Sequence, residues 1–370
     1  MAEPGYPPPI RPGGPGLDMN ALSRLLLDAG LTGRGGADFP TGAKVELAQR
    51  HDAELIVNAC DGELDARKDG WVIAHHLPEV LAGAGVITRR RIRIAAHRDS
   101  ATWRTLRSAG VDTLAVPDRY VSSEESALTG LAHGGPARPV MRFAPITAGA
   151  RDHRGRRLPP TLVLNAETVW RTSQIVEHGL VWFRSFGTPD EPGPRLVTLV
   201  DGVAEPGVHS AEAGLSLREI LELGGGPTTS VRAVWLSGLS GGFVPGRDLE
   251  RTRWSRAGLG PYGIGPGAGT VHLLAEDADP WPRVLRALIY ATGESAGQCG
   301  PCRFGLPALL ADLTSVLREA PSAASSERLT RRLASITGRG ACRYPDGVAA
   351  FVASALRAFP PHREENACHW

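Results

Sequence analysis

The sequence predicts an α/β protein with a Rossmann-like parallel sheet, followed by a small α+β module and a helical bundle. Apolar runs typical of strands, at residues 55–57, 91–96 and 113–116, alternate with helix patterns in the first half of the chain. Strands that alternate with helices pack as a parallel sheet. From about residue 195 strands surround one short helix, and residues 280–358 follow a helical period throughout.

Length and composition restrict the class of protein. The chain has 370 residues, which is enough for two or three domains with their own cores. Its net charge of +2 implies no polyanionic partner, so we expect no binding to nucleic acid. The five cysteines are too few for a disulfide scaffold, and their odd number with a Cys-x-x-Cys motif favours a reducing compartment.

No apolar run reaches the roughly 18 residues that a membrane helix needs. The Pro/Gly-rich residues 1–17 lack the pattern of a signal peptide. We therefore expect a soluble cytoplasmic protein that does not span a membrane.

Individual helices of the first half are predicted from periodicity and end signals. Residues 20–30 carry a leucine stripe and predict a helix that ends at Gly30. Pro78 is expected to open a second helix over residues 77–87, because proline is favoured in the first helical turn. A third helix is predicted over residues 99–109.

The second half combines a capped short helix with long amphipathic helices. Ser216 and Glu219 form a capping box at the start of a short helix, between strands predicted at 196–200 and 231–236. Two apolar faces predict packed helices towards the C-terminus. These faces consist of Leu306, Leu309, Leu310, Leu313 and Leu317, and of Val348, Phe351, Val352 and Ala355.

Three of the five cysteines lie in the C-terminal helical segment. Cys299 and Cys302 form a Cys-x-x-Cys pair, and Cys342 follows in a later connection. Thiolates at this spacing converge on one site, and soft sulfur ligands select iron–sulfur clusters or zinc. The lack of a nearby histidine favours an iron–sulfur cluster over zinc, and inert buried thiols are the alternative.

A site with four ligands needs one more group. Ala296 stands where a further Cys-x-x-Cys step would place a cysteine. The site is therefore a three-thiolate cluster, a cluster with a borrowed fourth ligand, or a relic. Cys368 and His369 are the candidates for a borrowed ligand.

Four polar segments of the first half could form a ligand site. Gly33–Lys44 is suited to bind a phosphate through backbone N–H groups and Lys44, or is a plain surface loop. Asn58–Glu63 directly follows a strand, where α/β folds place ligands, or is a polar turn. The two acids of Ser122–Glu125 either belong to a ligand site or stabilise the dipole of the helix that follows. Asn165–Thr168 either belongs to a ligand site or forms the N-terminal cap of a helix.

Two other sequence motifs lack the flanking strand or helix that their functions require. Gly258–Gly263 matches the G-x-G-x-x-G pattern, but no clear strand precedes it and no helix follows. Gly238–Gly242 matches the G-x-S-x-G pattern of hydrolases, but the residues after it cannot begin the required helix. We therefore expect neither a dinucleotide fingerprint nor a nucleophile elbow at these positions.

Together the motifs resemble those of the NADH-oxidising flavoprotein subunit of respiratory complex I. That family includes the diaphorase subunits of NAD-linked hydrogenases and formate dehydrogenases. The resemblance extends from about residue 20 to 359 and keeps the order of the family's motifs. The matches are Gly33–Lys44 with GRGGAGFPTGLK, Asn58–Glu63 with NADEGE, Tyr120–Leu128 with YICGEETAL, Asn165–Thr168 with NVET, Glu294–Arg303 with ESCGxCxPCR, and Cys342 with the distal cluster cysteine.

The resemblance implies FMN and an iron–sulfur cluster, of the 4Fe-4S or 3Fe-4S type, as cofactors, and NAD(P)H as a substrate. It also implies a division of the chain. The parts are a tail at 1–17, an FMN-binding α/β domain at 18–194, a β-grasp soluble-ligand-binding module at 195–272, a helical iron–sulfur domain at 273–360 and a tail at 361–370.

The family's site residues carry over to matching positions of this chain. The resemblance implies catalytic roles for Glu63 and Asp61. The implied cofactor-binding residues are Gly33, Arg34, Gly35, Phe39, Lys44, Asn58, Tyr120, Glu124, Glu125, Asn165 and Thr168. The implied cluster ligands are Cys299, Cys302 and Cys342, and Phe39 and Phe143 match aromatic positions of the family's NADH site.

The chain departs from the family at several of these motifs. Asp38 replaces a loop glycine, and we expect its carboxylate close to the bound phosphate or nicotinamide. The other departures are Cys60 for an acid, Ser122 and Ser123 for Cys-Gly, Val140 for a lysine near the adenine site, and Ala296 for a cluster cysteine.

The resemblance implies an NADH dehydrogenase-like oxidoreductase. It would pass electrons between NAD(P)H, or another two-electron partner, and a one-electron acceptor such as a ferredoxin. Other subunits of a redox complex are the alternative partners. The departures also permit a different class, a non-catalytic scaffold or ligand-binding protein with eroded cofactor sites, and retention of flavin after purification separates the two.

Overall fold

The computed structural model describes residues 19–141, 144–152, 154–318 and 322–361. In chain order the strands are β1 Glu54–Asn58, β2 Ile92–His97, β3 Thr113–Val116, β4 Ala150–Arg151, β5 Arg157–Leu158, β6 Thr161–Asn165, β7 Pro194–Leu199, β8 Gly207–Glu212, β9 Val231–Leu236, β10 Gly242–Pro245 and β11 Thr270–Ala275. The α-helices are α1 Met19–Ala29, α2 Thr41–Arg50, α3 Lys68–Ile87, α4 Ala101–Ser108, α5 Glu125–Ala132, α6 Ala166–Arg184, α7 Leu217–Glu222, α8 Arg256–Leu259, α9 Trp281–Glu294, α10 Leu306–Arg318, α11 Ala323–Ile336 and α12 Tyr344–Ala358.

The first half of the chain forms a parallel sheet of four strands in the order β3-β2-β1-β6. The chain builds outward from β1 through β2 to β3, and then crosses to the other side of β1 to form β6. Asn58 and Asn165, the last residues of β1 and β6, stand directly opposite each other in the register. The predicted α/β class with a parallel sheet is confirmed.

Helices cover both faces of this sheet because β1 is apolar on both. Leu55 and Val57 belong to a large apolar cluster that includes residues of α3 and α6. Ile56, which points to the opposite face, belongs to a smaller cluster with Leu128 of α5. Continuous apolar runs of this kind are expected of strands that are buried on both sides.

The predicted helix over residues 77–87, opened by Pro78, is confirmed as the second segment of α3. Helix α3 begins ten residues earlier, at Lys68, and is kinked at His76, whose φ of −135° is not helical. Pro78 cannot donate a backbone hydrogen bond, and its ring clashes with the carbonyl four residues before it. The proline therefore lies in the first turn of the segment that follows the break, where a missing N–H is tolerated.

A second sheet has five strands in the order β10-β9-β11-β7-β8 and is mixed, since only β11 and β7 pair in parallel. The capping box of Ser216 and Glu219 is confirmed at the start of α7. Val234 and Leu236 of β9 join the apolar cluster beneath α7. Trp235, on the other face, packs against Phe351 of α12, with 5.2 Å between the ring centroids.

The C-terminal part consists of helices α9 to α12 and a π-helical turn, Pro301–Gly305. Most residues of the two predicted apolar faces are buried, and only Leu310 and Leu317 are partly exposed. The two dismissed motifs lie in short helical turns, Gly238–Ser240 and Gly260–Tyr262, and neither has the helix that its function requires. Among the residues described, no helix combines the length and apolar character needed to cross a membrane.

Candidate functional site

A cleft of about 990 Å³ opens at the carboxyl ends of β1 and β6. Pockets for small ligands and cofactors typically measure about 300–1,000 Å³, so this cleft lies at the upper end of that range. Asn58 and Asn165 lie side by side in it, where the order of the strands reverses. In open α/β sheets the crevice at such a reversal is the place where ligands bind.

The two asparagines are held by their neighbours. The Asn58 amide donates to the backbone carbonyl of Ser123 at 3.0 Å, and its oxygen accepts from the backbone N–H of Cys60 at 3.1 Å. The Asn165 amide lies 3.4 Å from a carboxylate oxygen of Asp69. These contacts fix amide groups at the floor of the cleft, where they can also face a ligand.

The glycine-rich loop forms one wall, and its glycines allow a close approach. A Cβ added at Gly35 would lie 2.3 Å from Oδ1 of Asn165, so a larger residue would displace the asparagine. Phe39 is half exposed at the rim. Lys44 lines the cleft and lies 3.3 Å from Oε1 of Glu125.

The acids after β3 and the end of β6 complete this wall. Glu124 lines the cleft and caps α5, where it accepts hydrogen bonds from the backbone of Ser126 at 2.7 Å and Ala127 at 3.2 Å. The hydroxyl of Thr168 accepts the backbone N–H of Arg34 at 2.9 Å, which ties the glycine-rich loop to α6.

Asp38 and Arg34 are oriented differently from the sequence expectation. Asp38 is buried outside the cleft lining and pairs with Arg195 at 3.0 Å, so its expected place beside a bound phosphate or nicotinamide is wrong. The Arg34 guanidinium is also buried outside the lining and donates to the carbonyls of Pro192 and Pro194 at 3.3 Å. This orientation argues against a direct cofactor contact by the Arg34 side chain.

Buried charges line the floor of the cleft. The Lys68 ammonium contacts Asp69 at 2.8 Å and Glu167 at 3.0 Å. Burial alone would lower the pKa of Lys68, but the two carboxylates raise it. Burial and the charge of Asp69 raise the pKa of Asp61 to about 7, although Asp61 accepts backbone hydrogen bonds from Asp69 at 2.9 Å and Gly70 at 2.7 Å.

Glu63 lies at the side of the cleft that faces the second sheet. Its carboxylate accepts hydrogen bonds from the Tyr120 hydroxyl, from Ser240 and from the backbone of Leu239 and Leu64, at 2.6 to 3.0 Å. Burial raises the pKa of Glu63, and the four donors oppose that shift. The predicted catalytic residues Asp61 and Glu63 thus both line the cleft, but Glu63 is fully occupied by protein donors.

The structure brings the three cysteines of the C-terminal part together. Cys302 is buried in the π-helical turn, Cys299 precedes that turn, and Cys342 lies between α11 and α12. Burial raises the pKa of the Cys302 thiol, and the neighbouring Cys299 and Cys342 raise it further. Cys342 also lines the cleft, so one of the three cysteines shares a cavity with the two asparagines.

Three sulfur donors from two connections between the C-terminal helices are the type of ligand that an iron–sulfur cluster takes. In the parts of the chain that are described, no group of three or more His, Cys, Asp or Glu side chains could hold a single metal ion. Phe143, Cys368 and His369 lie outside the described residues.

Several residues of the cleft were not identified from the sequence. The unpredicted lining includes Lys68, Asp69, Ser240, Tyr344 and Asp346. Lys68 carried a signal, since it is one of two lysines in an arginine-rich chain. Tyr344 and Asp346 follow Cys342 closely, whereas Ser240 is the serine of the Gly238–Gly242 motif, whose hydrolase pattern did not point to this site.

Two family models match the chain. The model described as "Nuo51 FMN-binding domain" matches residues 26–174. The model described as "NADH-ubiquinone oxidoreductase-F iron-sulfur binding region" matches residues 283–366. The first range contains both asparagines and the glycine-rich loop, and the second contains the three cysteines.

Relatives cover nearly the whole chain. The F 2 subunit of NADH-quinone oxidoreductase from Rhizobium meliloti is 30% identical over 94% of this chain and 90% of its own length. The F subunit of the same enzyme from Streptomyces coelicolor is 30% identical over 93% of this chain and 82% of its own. The alpha subunit of the NAD-reducing hydrogenase HoxS from Cupriavidus necator is 30% identical over 76% of this chain, but only 49% of its own.

A solved NAD+-reducing [NiFe]-hydrogenase in the H2-reduced state contains a chain of similar fold. Its TM-score is 0.80 at 26% sequence identity, over 93% of this chain. The chain described here spans 64% of that hydrogenase chain. These matches confirm the resemblance drawn from the sequence motifs, and the chain belongs to the family of the NADH-quinone oxidoreductase F subunits.

Proposed function

We propose that the cleft binds FMN and that Cys299, Cys302 and Cys342 bind an iron–sulfur cluster beside it. The observation that carries the proposal is the pair of Asn58 and Asn165 at the reversal of strand order. Amide groups there can hydrogen-bond a flavin ring. The glycine-rich loop and Lys44 provide backbone N–H groups and a positive charge for a phosphate.

The chain is an NADH dehydrogenase-like oxidoreductase, in keeping with its relatives among the NADH-quinone oxidoreductases and NAD-reducing hydrogenases. Bound FMN supplies the hydride and single-electron chemistry, while the protein binds, orients and tunes it. Asp61, with its pKa near neutrality, can hold a proton inside the cleft. Glu63 positions Tyr120, through the 2.6 Å hydrogen bond, as one wall of the site.

The positions of the cysteines support an exit for single electrons. Cys342 lines the cleft, and Cys299 follows the exposed Gly297 and Gln298. The thiolates therefore lie between the proposed flavin site and a segment that a redox partner can reach. Relatives that are subunits of redox complexes support other subunits as partners, and a ferredoxin remains the alternative that we propose for a free-standing form.

The finer layout also remains a proposal. We keep the division into an FMN-binding domain at 18–194, a β-grasp module at 195–272 and a helical iron–sulfur domain at 273–360. Separate apolar clusters beneath the parallel sheet and within the second sheet support the first boundary, whereas a third cluster joins the C-terminal helices to one face of the second sheet. A cytoplasmic location stays a prediction, which the cysteine pattern favours.

A glycine substitution tests the flavin site directly. In Gly35→Ala the new methyl group displaces the Asn165 amide, so we expect the affinity for FMN to fall about tenfold or more, which corresponds to about 1.4 kcal/mol. Gly85→Ala is the matched control, because nothing lies within 4 Å of its added Cβ. Fluorescence titration of the two flavin-free variants with FMN measures both affinities. Equal affinities would contradict a role of Asn165 in binding FMN.

A further inference from the structure

Ala296 leaves one corner of the cysteine site without a side-chain donor. Its methyl group packs, partly buried, in the same apolar cluster as Cys299, Cys302 and Cys342. Ala296 stands three residues before Cys299, and its methyl group cannot bind iron. The question is whether another side chain supplies the missing ligand.

The carboxylates around the site are already occupied. Glu294 accepts a hydrogen bond of 2.9 Å from the backbone of Tyr120. Asp346 accepts from the backbone of Gly338 at 2.8 Å and from Arg343 at 3.0 Å. Glu124 is the cap of α5. Each of these carboxylates is thus held in place by at least one hydrogen bond from the protein.

The closest hydroxyl is occupied as well. Ser295, next to Ala296, donates to the backbone carbonyl of Thr292 at 3.2 Å. Ser295 also lies beside the Cys302 thiol and affects its pKa. It is therefore the one described oxygen whose role as a ligand needs an experimental test.

Solvent can reach the corner at Ala296. Gly293, Gly297, Gln298 and Gly300 are all exposed and surround it along the chain. Three of these four residues lack a side chain that could shield the site. A water molecule or a small dissolved ligand can therefore approach the position that a cysteine would otherwise fill.

We propose that Cys299, Cys302 and Cys342 hold a cluster whose fourth iron faces Ala296, takes a water or hydroxide ligand from solvent, and exchanges it for a small thiol. The inference rests on the proposed cluster of the preceding subsection. Its chemical consequence is a labile iron. When ferricyanide removes one electron, a [4Fe–4S]2+ cluster releases this iron as Fe2+ and becomes [3Fe–4S]+, and ferricyanide becomes ferrocyanide.

The decisive comparison is wild type against Ala296→Cys, purified without oxygen and then treated with ferricyanide. We expect wild type to lose one iron of four per chain and to gain the EPR signal of an oxidised three-iron cluster. Ala296→Cys should keep all four irons and show no such signal. Ala296→Val, which fills the same space without a donor, should behave like wild type.

Two further variants test for a ligand from the protein. Ser295→Ala and Cys368→Ala should both match wild type in iron content and in the EPR signal. An iron content that is lower before oxidation in either variant would identify that residue as the fourth ligand and overturn the proposal. Wild type that keeps four irons after ferricyanide would overturn it as well.

A small thiol probes the open position without oxidation. Addition of 2-mercaptoethanol should shift the EPR spectrum of the reduced cluster in wild type and leave that of Ala296→Cys unchanged. An unchanged wild-type spectrum would contradict an exchangeable ligand. Flavin content is measured on the same samples. A protein that binds flavin but no iron would contradict only the proposed cluster, whereas a protein that binds neither would contradict the proposed function.

Discussion

The hydroxyl of Tyr120 donates a 2.6 Å hydrogen bond to Oε2 of Glu63, and this contact joins the cleft to its neighbours. Glu63 also accepts from Leu239 at 2.8 Å and Ser240 at 2.9 Å, both in the turn before β10. The Tyr120 ring lies 4.9 Å from the ring of Tyr344 at the start of α12. One carboxylate thus links the parallel sheet, the second sheet and the C-terminal helices.

Glu63→Gln should destabilise the protein. The carboxylate accepts four hydrogen bonds, whereas the amide offers a single oxygen and turns an NH2 group towards donors. Hydrogen bonds to charged groups contribute about 1.5–3 kcal/mol each, so we expect a loss of about 1–3 kcal/mol in the free energy of unfolding. Urea denaturation measures it, with the exposed Glu276→Gln as control. Equal stability of the two variants would show that Glu63 is not a structural link.

Replacement of the two lysines by methionine should affect protein stability to very different degrees. Lys68→Met leaves Asp69 and Glu167 buried without their cation, and breaking a buried pair costs about 3–5 kcal/mol. Lys44→Met breaks only a partly exposed pair with Glu125, so stability should change by less than about 1 kcal/mol.

Lys44→Met should instead weaken the binding of FMN. Denaturation and flavin titration of both lysine variants separate the two effects. Our assignment fails if Lys44→Met retains wild-type affinity for FMN, or if Lys68→Met is as stable as wild type.

Asp38→Ala should lower stability and leave flavin binding unchanged. It deprives the buried Arg195 of its 3.0 Å partner, although Glu191 at 3.5 Å remains. We therefore expect a loss of about 2–3 kcal/mol, at or below the lower end of the range for a broken buried pair. Flavin affinity that falls while stability is maintained would place Asp38 in the cleft, against the structure.

Asp61 should make the stability of the flavin-free protein depend on pH. Its pKa rises from the ordinary 3.8 to about 7 on folding, so the folded protein binds this proton more tightly than the unfolded chain does. The contribution of protonated Asp61 to the free energy of unfolding is fully present below pH 3.8 and is lost as the pH rises through about 7. Relative to Asp61→Asn, wild type should thus become less stable with increasing pH over this interval. A constant difference between the two proteins across it would contradict the shifted pKa.

Much of the fold could be predicted because its signals are local. β3 and β9 occupy the residues expected from their apolar runs, and the capping box at Ser216 fixes the start of α7. The second segment of α3, which Pro78 opens, was predicted, but the first segment from Lys68 to the kink was not. The kink at His76 depends on packing that no local pattern specifies.

The candidate site was predicted in part. Asn58 and Asn165 each follow a strand, so their place at the sheet edge could be inferred, but their pairing requires the order of the strands. The orientation of Asp38 could not be inferred, because its partner Arg195 lies in β7, far along the chain. Ser240 reaches the cleft only through the docking of the second sheet onto Glu63.

The most direct test of the account is an anaerobic titration of the purified protein with NADH, followed by absorption spectroscopy. We predict that wild type shows flavin bands and a broad iron–sulfur absorption, and that NADH bleaches both. Cys299→Ala should retain flavin that NADH bleaches but lack the iron–sulfur absorption. A protein that stays colourless after reconstitution with FMN, iron and sulfide, or whose flavin stays oxidised with NADH, would contradict the account and favour a non-catalytic scaffold.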